Sequence, residues 1–353
     1  CLDNPLKYVD PDGNQPRHIR PPVRRGYRNA GRPNPYVFYP RGIKPQSYVQ
    51  TTNLSYTGNG LRQTMPIGPQ TFLETVNTPG GNKTYMRPYS RVYATVNLDA
   101  VASNMRSMRD NLPASTLIMG SVKADGYGHG SVPVAKTIEP YVFGYAVATI
   151  DEGIILRRHG INKTILILGV THESRYEDLL RYDIRTAMFQ YEKAKKLSDL
   201  ALKQGKKAVV HLALDTGMSR IGMKADREHA KEAAAIAALE GIEVEGLFTH
   251  FARADETDKS AYEEQYRRYK EFLGYLKELG VKIPIRHCSN SAGIVDALES
   301  NHMDMVRAGI AIYGMYPSDE VDHNSVKLTP AMEIKSCITY IKEIEAGTAV
   351  SYG

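Results

Sequence analysis

The sequence predicts an eight-stranded (β/α)8 barrel of the TIM type, with a largely irregular extension before it and the first strand of a truncated β-domain after it. Three observations carry this reading. Short apolar or β-branched runs alternate eight times with helix-length amphipathic stretches, and eight such units over roughly 200–250 residues is the size of a closed barrel. A Pro- and Arg-rich texture gives way to that alternation abruptly at Met86. After Arg307 the alternation stops, and Met332 to Ile344 reads as one long strand of period two. The expected domains are therefore residues 1–85, 86–330 and 331–353. An open doubly wound sheet stays as the alternative fold, because counting strands does not establish closure.

The extension is set apart by its chemistry. Residues 1–85 hold 11 Lys and Arg against 4 Asp and Glu, with 12 of the 19 prolines, whereas residues 86–353 are nearly balanced at 34 against 35. The net charge of +6 is thus a property of the front segment, which has no amphipathic stretch long enough to offset the entropy of ordering. Arg24, Arg25 and Arg28 interleave with Tyr27, Tyr36 and Tyr39, residue types that stack on and neutralise single-stranded nucleic acid. No RNA-binding motif organises them, so a solvated linker is preferred and no nucleic acid is expected. Position 1 is not Met, and Ala349 to Gly353 read as the middle of a strand or turn, so the sequence reads as a fragment. No apolar run approaches the ~20 residues that span a bilayer, and no secretory signal opens the chain. Three scattered cysteines, Cys1, Cys288 and Cys337, suit neither a disulfide framework nor a metal centre. A reduced, cytoplasmic protein with no bound metal is the expectation.

The predicted strands are Thr116–Val122, Tyr145–Ala148, Thr164–Leu168, Ile184–Ala187, Ala208–Leu214, Val244–Phe248, Ile283–His287 and Met303–Val306. The clearest helices between them are Ala194–Lys203, Arg227–Leu239 and Ala261–Leu279, the last with Glu and Lys/Arg at helical spacing. Catalytic groups of such barrels sit where strands end at the carboxyl face. Lys123 follows the first strand; a lone lysine there would ordinarily snorkel to solvent. Here Gly126, Gly128 and Gly130 follow it and allow close backbone approach.

Lys123-Ala124-Asp125-Gly126-Tyr127-Gly128-His129-Gly130 resembles the pyridoxal-phosphate lysine motif of alanine racemases. The likeness continues in family order through Asp215 to Gly222, Phe248 to Asp255, His287 to Ala292 and Val306 to Ile310. Met86 to Tyr93 is similar to a racemase amino terminus, which would make the first 85 residues foreign to the enzyme. Separately, Asn4 to Gly13 resembles the closing motif of RHS-repeat proteins.

The racemase resemblance implies interconversion of L- and D-alanine, supplying D-alanine for peptidoglycan, by a homodimer that uses pyridoxal 5'-phosphate and an amino-acid substrate. It implies Lys123 as the residue that carries the cofactor and moves the α-proton on one face. Ser291, Gly309, Ile310 and Tyr127 would hold the phosphate, and Arg307 would face the ring nitrogen. Since a guanidinium only donates, that nitrogen would stay unprotonated. Arg220 would lie near the cofactor's phenolic oxygen and the substrate carboxylate, and Met218 near the substrate. His250 would link Arg307 to a second catalytic base, with Asp215 and Asn290 as supports.

Three departures matter. Ala213 stands where many members have a lysine, so Arg220 must be oriented otherwise. The family's opposite-face base, a tyrosine of the carboxy-terminal β-domain contributed across the dimer, has no counterpart in residues 1–353, and Tyr352 matches an earlier position. A further phosphate-contacting tyrosine is also missing. Other readings are a serine racemase of the same fold, since one hydroxyl is hard to require from sequence, a single-domain pyridoxal-phosphate carrier, and an RHS-tethered effector or interaction protein carrying the barrel as cargo.

Overall fold

The computed structural model describes residues 92–352 and, before them, the backbone of three short strands, Arg62–Pro66, Leu73–Thr78 and Gly81–Met86. The RHS-like decapeptide and the Arg/Tyr-rich run lie outside the described residues. Leu73–Thr78 and Gly81–Met86 pair as an antiparallel hairpin, so this part of the extension is strand where its Pro- and Arg-rich composition predicts irregular chain. The overlooked signal is the β-branched set Thr75, Val76 and Thr78 ahead of Pro79-Gly80.

Eight parallel strands form the centre: β1 (Leu117–Ser121), β2 (Gly144–Val147), β3 (Thr164–Ile167), β4 (Arg185–Met188), β5 (Ala208–Asp215), β6 (Ile242–Phe248), β7 (Ile285–His287) and β8 (Met305–Ala308). Each pairs with the next, and β8 pairs with β1 from Met305↔Leu117 to Ala308↔Gly120, which closes the barrel and excludes the open sheet. Helices Ser131–Ile138, Ile150–Arg158, Tyr176–Tyr182, Tyr191–Lys203, Arg227–Ala237, Ser260–Glu278 and Ser291–Val295 follow the first seven strands. After β8 there is only a 3-10 turn, Ile310–Tyr313, and the chain's entry helix Leu98–Asp110 covers that side. Its buried Asn104 donates to the carbonyls of Ile312 and Thr329 at 3.1 and 2.9 Å and accepts from the Thr329 amide at 2.8 Å. One amide side chain thereby ties the entry to the exit of the barrel.

Alternation along the strands separates two kinds of core. Ile118, Leu212, Leu247 and Val306 join the large cluster between strands and helices. Met119, Ala146, Leu166 and Met305 form one small cluster on the other face, and Ala187, Ala213 and Phe248 form another. Barrel interiors are usually filled with branched apolar side chains; this one also holds His211, His287 and Arg307, all buried.

Strand Met332–Ser336 pairs antiparallel with Val92–Asn97, whose other edge carries Arg62–Pro66. The expected strand to Ile344 stops early. Its register runs out where Ser336 meets Val92, and Ile338, Tyr340 and Ile341 are 81%, 77% and 80% exposed. A period-two pattern persists as strand only where an edge and a covering surface receive it. Among the described residues no helix is long and apolar enough to cross a membrane.

The Tyr269 ring in helix Ser260–Glu278 is wholly buried, and its hydroxyl donates to the Leu247 carbonyl at 2.7 Å while accepting from the His287 amide at 3.2 Å. One phenol therefore joins β6 to β7 beneath the strand ends. Tyr269→Phe strips a donor and an acceptor from buried backbone groups, and urea unfolding followed by circular dichroism is expected to show a loss of about 1–3 kcal/mol.

Candidate active site

Lys123 stands just beyond β1, where the chain makes a left-handed turn. Ala124, Asp125, Gly126 and Tyr127 have φ of 51, 50, 63 and 51°, a conformation that costs about 1–2 kcal/mol for each non-glycine residue. Hydrogen bonds offset this. The amides of Gly126, Gly128 and His129 donate to the carbonyls of Val122, Ala124 and Gly126 at 2.9–3.0 Å. Asp125 Oδ1 accepts from the Ser131 amide at 2.8 Å. Glu152, from the helix after β2, accepts from the Ala124 amide at 2.8 Å and the Ala148 amide at 2.7 Å.

The turn brings the Tyr127 hydroxyl toward the ends of β7 and β8. A Cβ placed on Gly309 would lie 3.4 Å from Tyr127 Oη and 3.6 Å from Ser291 Oγ. Those two hydroxyls therefore border a space that glycine leaves bare. Gly309 and Ala311 amides point to Ser291 Oγ at 2.9 and 3.4 Å, and Ile310 begins the 3-10 turn. Asn290 caps the helix that Ser291 opens, its Oδ1 accepting from the Gly293 amide at 3.1 Å. Tyr313 underlies the cradle: its hydroxyl donates to the Ser121 carbonyl, and its ring centre lies 4.9 Å from Tyr127 and 4.5 Å from His129.

Arg307, in β8, is buried, and among the described residues no carboxylate bonds to it. Nη1 donates to the carbonyl and Nδ1 of His287, both at 3.0 Å; Nη2 donates to the carbonyls of Thr249 and Cys288 and to Nδ1 of His250 at 3.3 Å. Nε enters none of these bonds. Burial lowers the Arg307 pKa to about 10, so it stays protonated at neutral pH. A guanidinium can only donate, so the Nδ1 atoms of both histidines are bare and each neutral ring carries its proton on Nε2. Burial first, then the charges of Arg307, Arg220 and Lys123, pushes His250 down to about 3. Lys123 is likewise lowered, by burial and then by Arg220 and Arg307, with Glu152 opposing.

Arg220 reaches this group from the loop after β5. Asp215 Oδ1 holds that loop by accepting from the amides of Gly217 and Ser219, both at 3.0 Å, and Met218 is half-buried within it. The loop folds back so that Met223–Lys224 pairs with Leu214–Asp215. Ala213 is buried beside Ala187 and Phe248. Among the described residues no carboxylate pairs with the exposed Arg220, whose charge acts on Lys123, Tyr127 and His250. Among the described residues no group of three His, Cys, Asp or Glu side chains is placed to hold a metal ion.

The structure thus brings Lys123, Tyr127, Arg220, His250, Ser291, Arg307, Gly309 and Ile310 to one end of the barrel. The residues present fit pyridoxal phosphate: an amine biased toward its neutral form, an anion cradle of Tyr127, Ser291 and Gly309, and an Arg307 with a free donor. Residues not anticipated are Glu152, His129, Tyr313 and the role of His287. Glu152 does carry a local signal, since Thr149 to Glu152 is a capping-box pattern and Thr149 accepts from the Glu152 amide. Its reach to Ala124 has no local signature.

A barrel with this lysine, cradle and buried arginine at its carboxyl face defines a pyridoxal-phosphate-dependent β/α-barrel enzyme. The family model described as alanine racemase, N-terminal domain, matches residues 96–317. Alanine racemase of Desulforamulus reducens is 43% identical over 263 residues, 74% of this chain and 71% of that protein. One from Clostridium perfringens is 43% identical over 263 residues, 74% and 68% of the two chains. Among solved structures, alanine racemase of Clostridium difficile superposes with a TM-score of 0.72 at 42% identity over 76% of this chain and 70% of that one. The Bacillus anthracis enzyme with bound L-Ala-P gives 0.69 at 33% identity, over 75% and 69%. The chain belongs to the alanine racemase family, whose members depend on pyridoxal 5'-phosphate. The likeness of residues 1–13 to an RHS terminus is not borne out.

His250 provides a pH test. Its folded pKa of about 3 lies below the usual value of about 6.5, so between these limits the unfolded state binds more protons. Stability then falls on acidification, by up to about 1.4 kcal/mol per pH unit from this group. His250→Asn is expected to remove that share, so urea midpoints at pH 7, 5.5 and 4.5 should fall less steeply in the variant.

Proposed function

We propose that this chain interconverts L- and D-alanine, with pyridoxal phosphate attached at Lys123. The observation that carries the reading is the convergence of Lys123, Arg220 and Arg307 around the cradle of Tyr127, Ser291 and Gly309. When bound, the cofactor supplies a conjugated electron-withdrawing ring that acidifies the α-hydrogen of an attached amino acid.

The protein's own groups do the rest. The depressed pKa of Lys123 leaves more of the amine neutral, able first to capture the cofactor and then to take or return a proton. Ser291, Tyr127 and the Gly309 amide hold the phosphate. Arg307, permanently a donor, would face the ring nitrogen, which could then only accept and would stay unprotonated. Arg220, paired with no carboxylate among the described residues, is available to the substrate carboxylate. The names of the relatives support alanine over serine. The reading includes a cytoplasmic homodimer; the exposed apolar run Ile338, Tyr340 and Ile341 supports the dimer alone.

Borohydride reduction followed by peptide mapping is expected to place the reduced cofactor on Lys123; an adduct on another lysine overturns the assignment. Arg220→Gln removes a charge that lowers the Lys123 pKa, so the midpoint for cofactor capture in an absorbance titration should move to higher pH.

Lys123 serves one face of the α-carbon, and no described residue is assigned to the other. Residues 1–353 are therefore expected to wash solvent deuterium into one enantiomer of alanine faster than they invert it. With no described residue assigned to the second face, chiral turnover is expected to be lower by about 10²- to 10⁴-fold, read by chiral chromatography alongside mass spectrometry. Full inversion would show that a described group, such as Tyr127 or His250, acts as that base.

A further inference from the structure

The polar interior does not end at Arg307. His287 takes Arg307 Nη1 on its Nδ1, so its proton sits on Nε2, which lies 2.8 Å from Nδ1 of His211. His211 must then carry its own proton on Nε2, 2.9 Å from Oε2 of Glu245. Both imidazoles are wholly buried. One proton assignment satisfies the row: Arg307 can only donate, an ionised Glu245 can only accept, and each histidine must pass the direction on.

The backbone makes room for this row. Val244 lies opposite Val210 and Gly246 opposite His211, so Glu245 is an extra residue in β6, a bulge that re-aims a side chain. A Cβ on Gly246 would come within 2.4 Å of His211 Nδ1. At the far end Glu245 faces Arg185 Nε at 3.5 Å, at the start of β4. Burial holds His287 well below, and His211 below, the usual histidine range. Against desolvation, the His211 N–H and Arg185 keep the Glu245 pKa low and the carboxylate charged.

We propose that Glu245 is a positioning residue for Arg307: through His211 and His287 it fixes the direction of the hydrogen bonds that tie down Nη1, leaving Nε as the donor toward the cofactor ring. The proposal rests on the reading of Arg307 as the residue facing that ring. Were His287 to hold its proton on Nδ1, two donors would face each other and the guanidinium would have to shift.

The test uses ¹⁵N-histidine NMR and pyridoxal phosphate titration. In the cofactor-free wild type, His287 and His211 are expected as neutral Nε2–H rings; a charged ring or an Nδ1–H ring at His287 overturns the row. Adding pyridoxal phosphate should move the His211 ring signals, because coupling between two sites is reciprocal; an unmoved His211 overturns the link, and this arm needs no variant. Glu245→Gln keeps an acceptor and removes the charge. It is expected to weaken pyridoxal phosphate about 2- to 30-fold and to shift the His287 Nε2–H signal, with little change in melting temperature. An unchanged affinity refutes the proposal, as does a lower melting temperature with unmoved His287 signals, which marks a merely structural role. If the wild type itself fails to capture pyridoxal phosphate on Lys123, the functional reading fails instead, and the NMR of the cofactor-free protein still decides the row.

Discussion

A guanidinium withdrawn from water and given no adjacent carboxylate is costly to hold, and much of this barrel's carboxyl end serves to satisfy Arg307. Three backbone carbonyls from the ends of β6 and β7 and two imidazole nitrogens accept from it. That demand sets the protonation of its neighbours. His250 and His287 are neutral because they are buried and accept from a cation, and Lys123 is shifted toward its free amine by burial, then by Arg220 and by the same charge. A site organised in this way concentrates positive charge while keeping a nucleophilic lysine available, a combination suited to an anionic cofactor that must be attached covalently.

The neighbouring wall, after β1, depends on strain. Three non-glycine residues adopt left-handed angles after Lys123, and they persist because Asp125, Glu152 and the carbonyls of Val122 and Ala124 over-determine the turn. The gain is geometric: a single turn presents the lysine from β1 and returns the Tyr127 hydroxyl to the cradle at Gly309. The loop carrying Arg220 is held by Asp215, by the short pairing of Met223–Lys224 and, at its buried start, by Thr249 and Gln265 bonded to Thr216. The Ala213 methyl cannot orient a guanidinium, so among the described residues it is that loop which positions Arg220.

The barrel was largely legible in the sequence. All eight strands fall within about two residues of their expected places, since buried parallel strands are short apolar runs that announce themselves. The strand end marks Lys123, whereas Arg220, His250, Ser291 and Arg307 stand out through the racemase resemblance; the structure places all five at one end of the barrel. The strand after Met332 was overread, because alternation records a capacity for pairing and Ser336 is the last residue with a partner on Val92–Asn97.

What the sequence determined by itself, then, is local: which segments are strand or helix, and which polar residues end a strand. Tertiary structure decided closure, through β8 meeting β1, and the partners of each polar group. Glu152 reaching Ala124, Tyr313 supporting Tyr127, and Glu245 linked through His211 and His287 to Arg307 all join residues far apart in the chain. Hydrogen-bond direction and burial are properties of such pairs in space, and no single segment contains them.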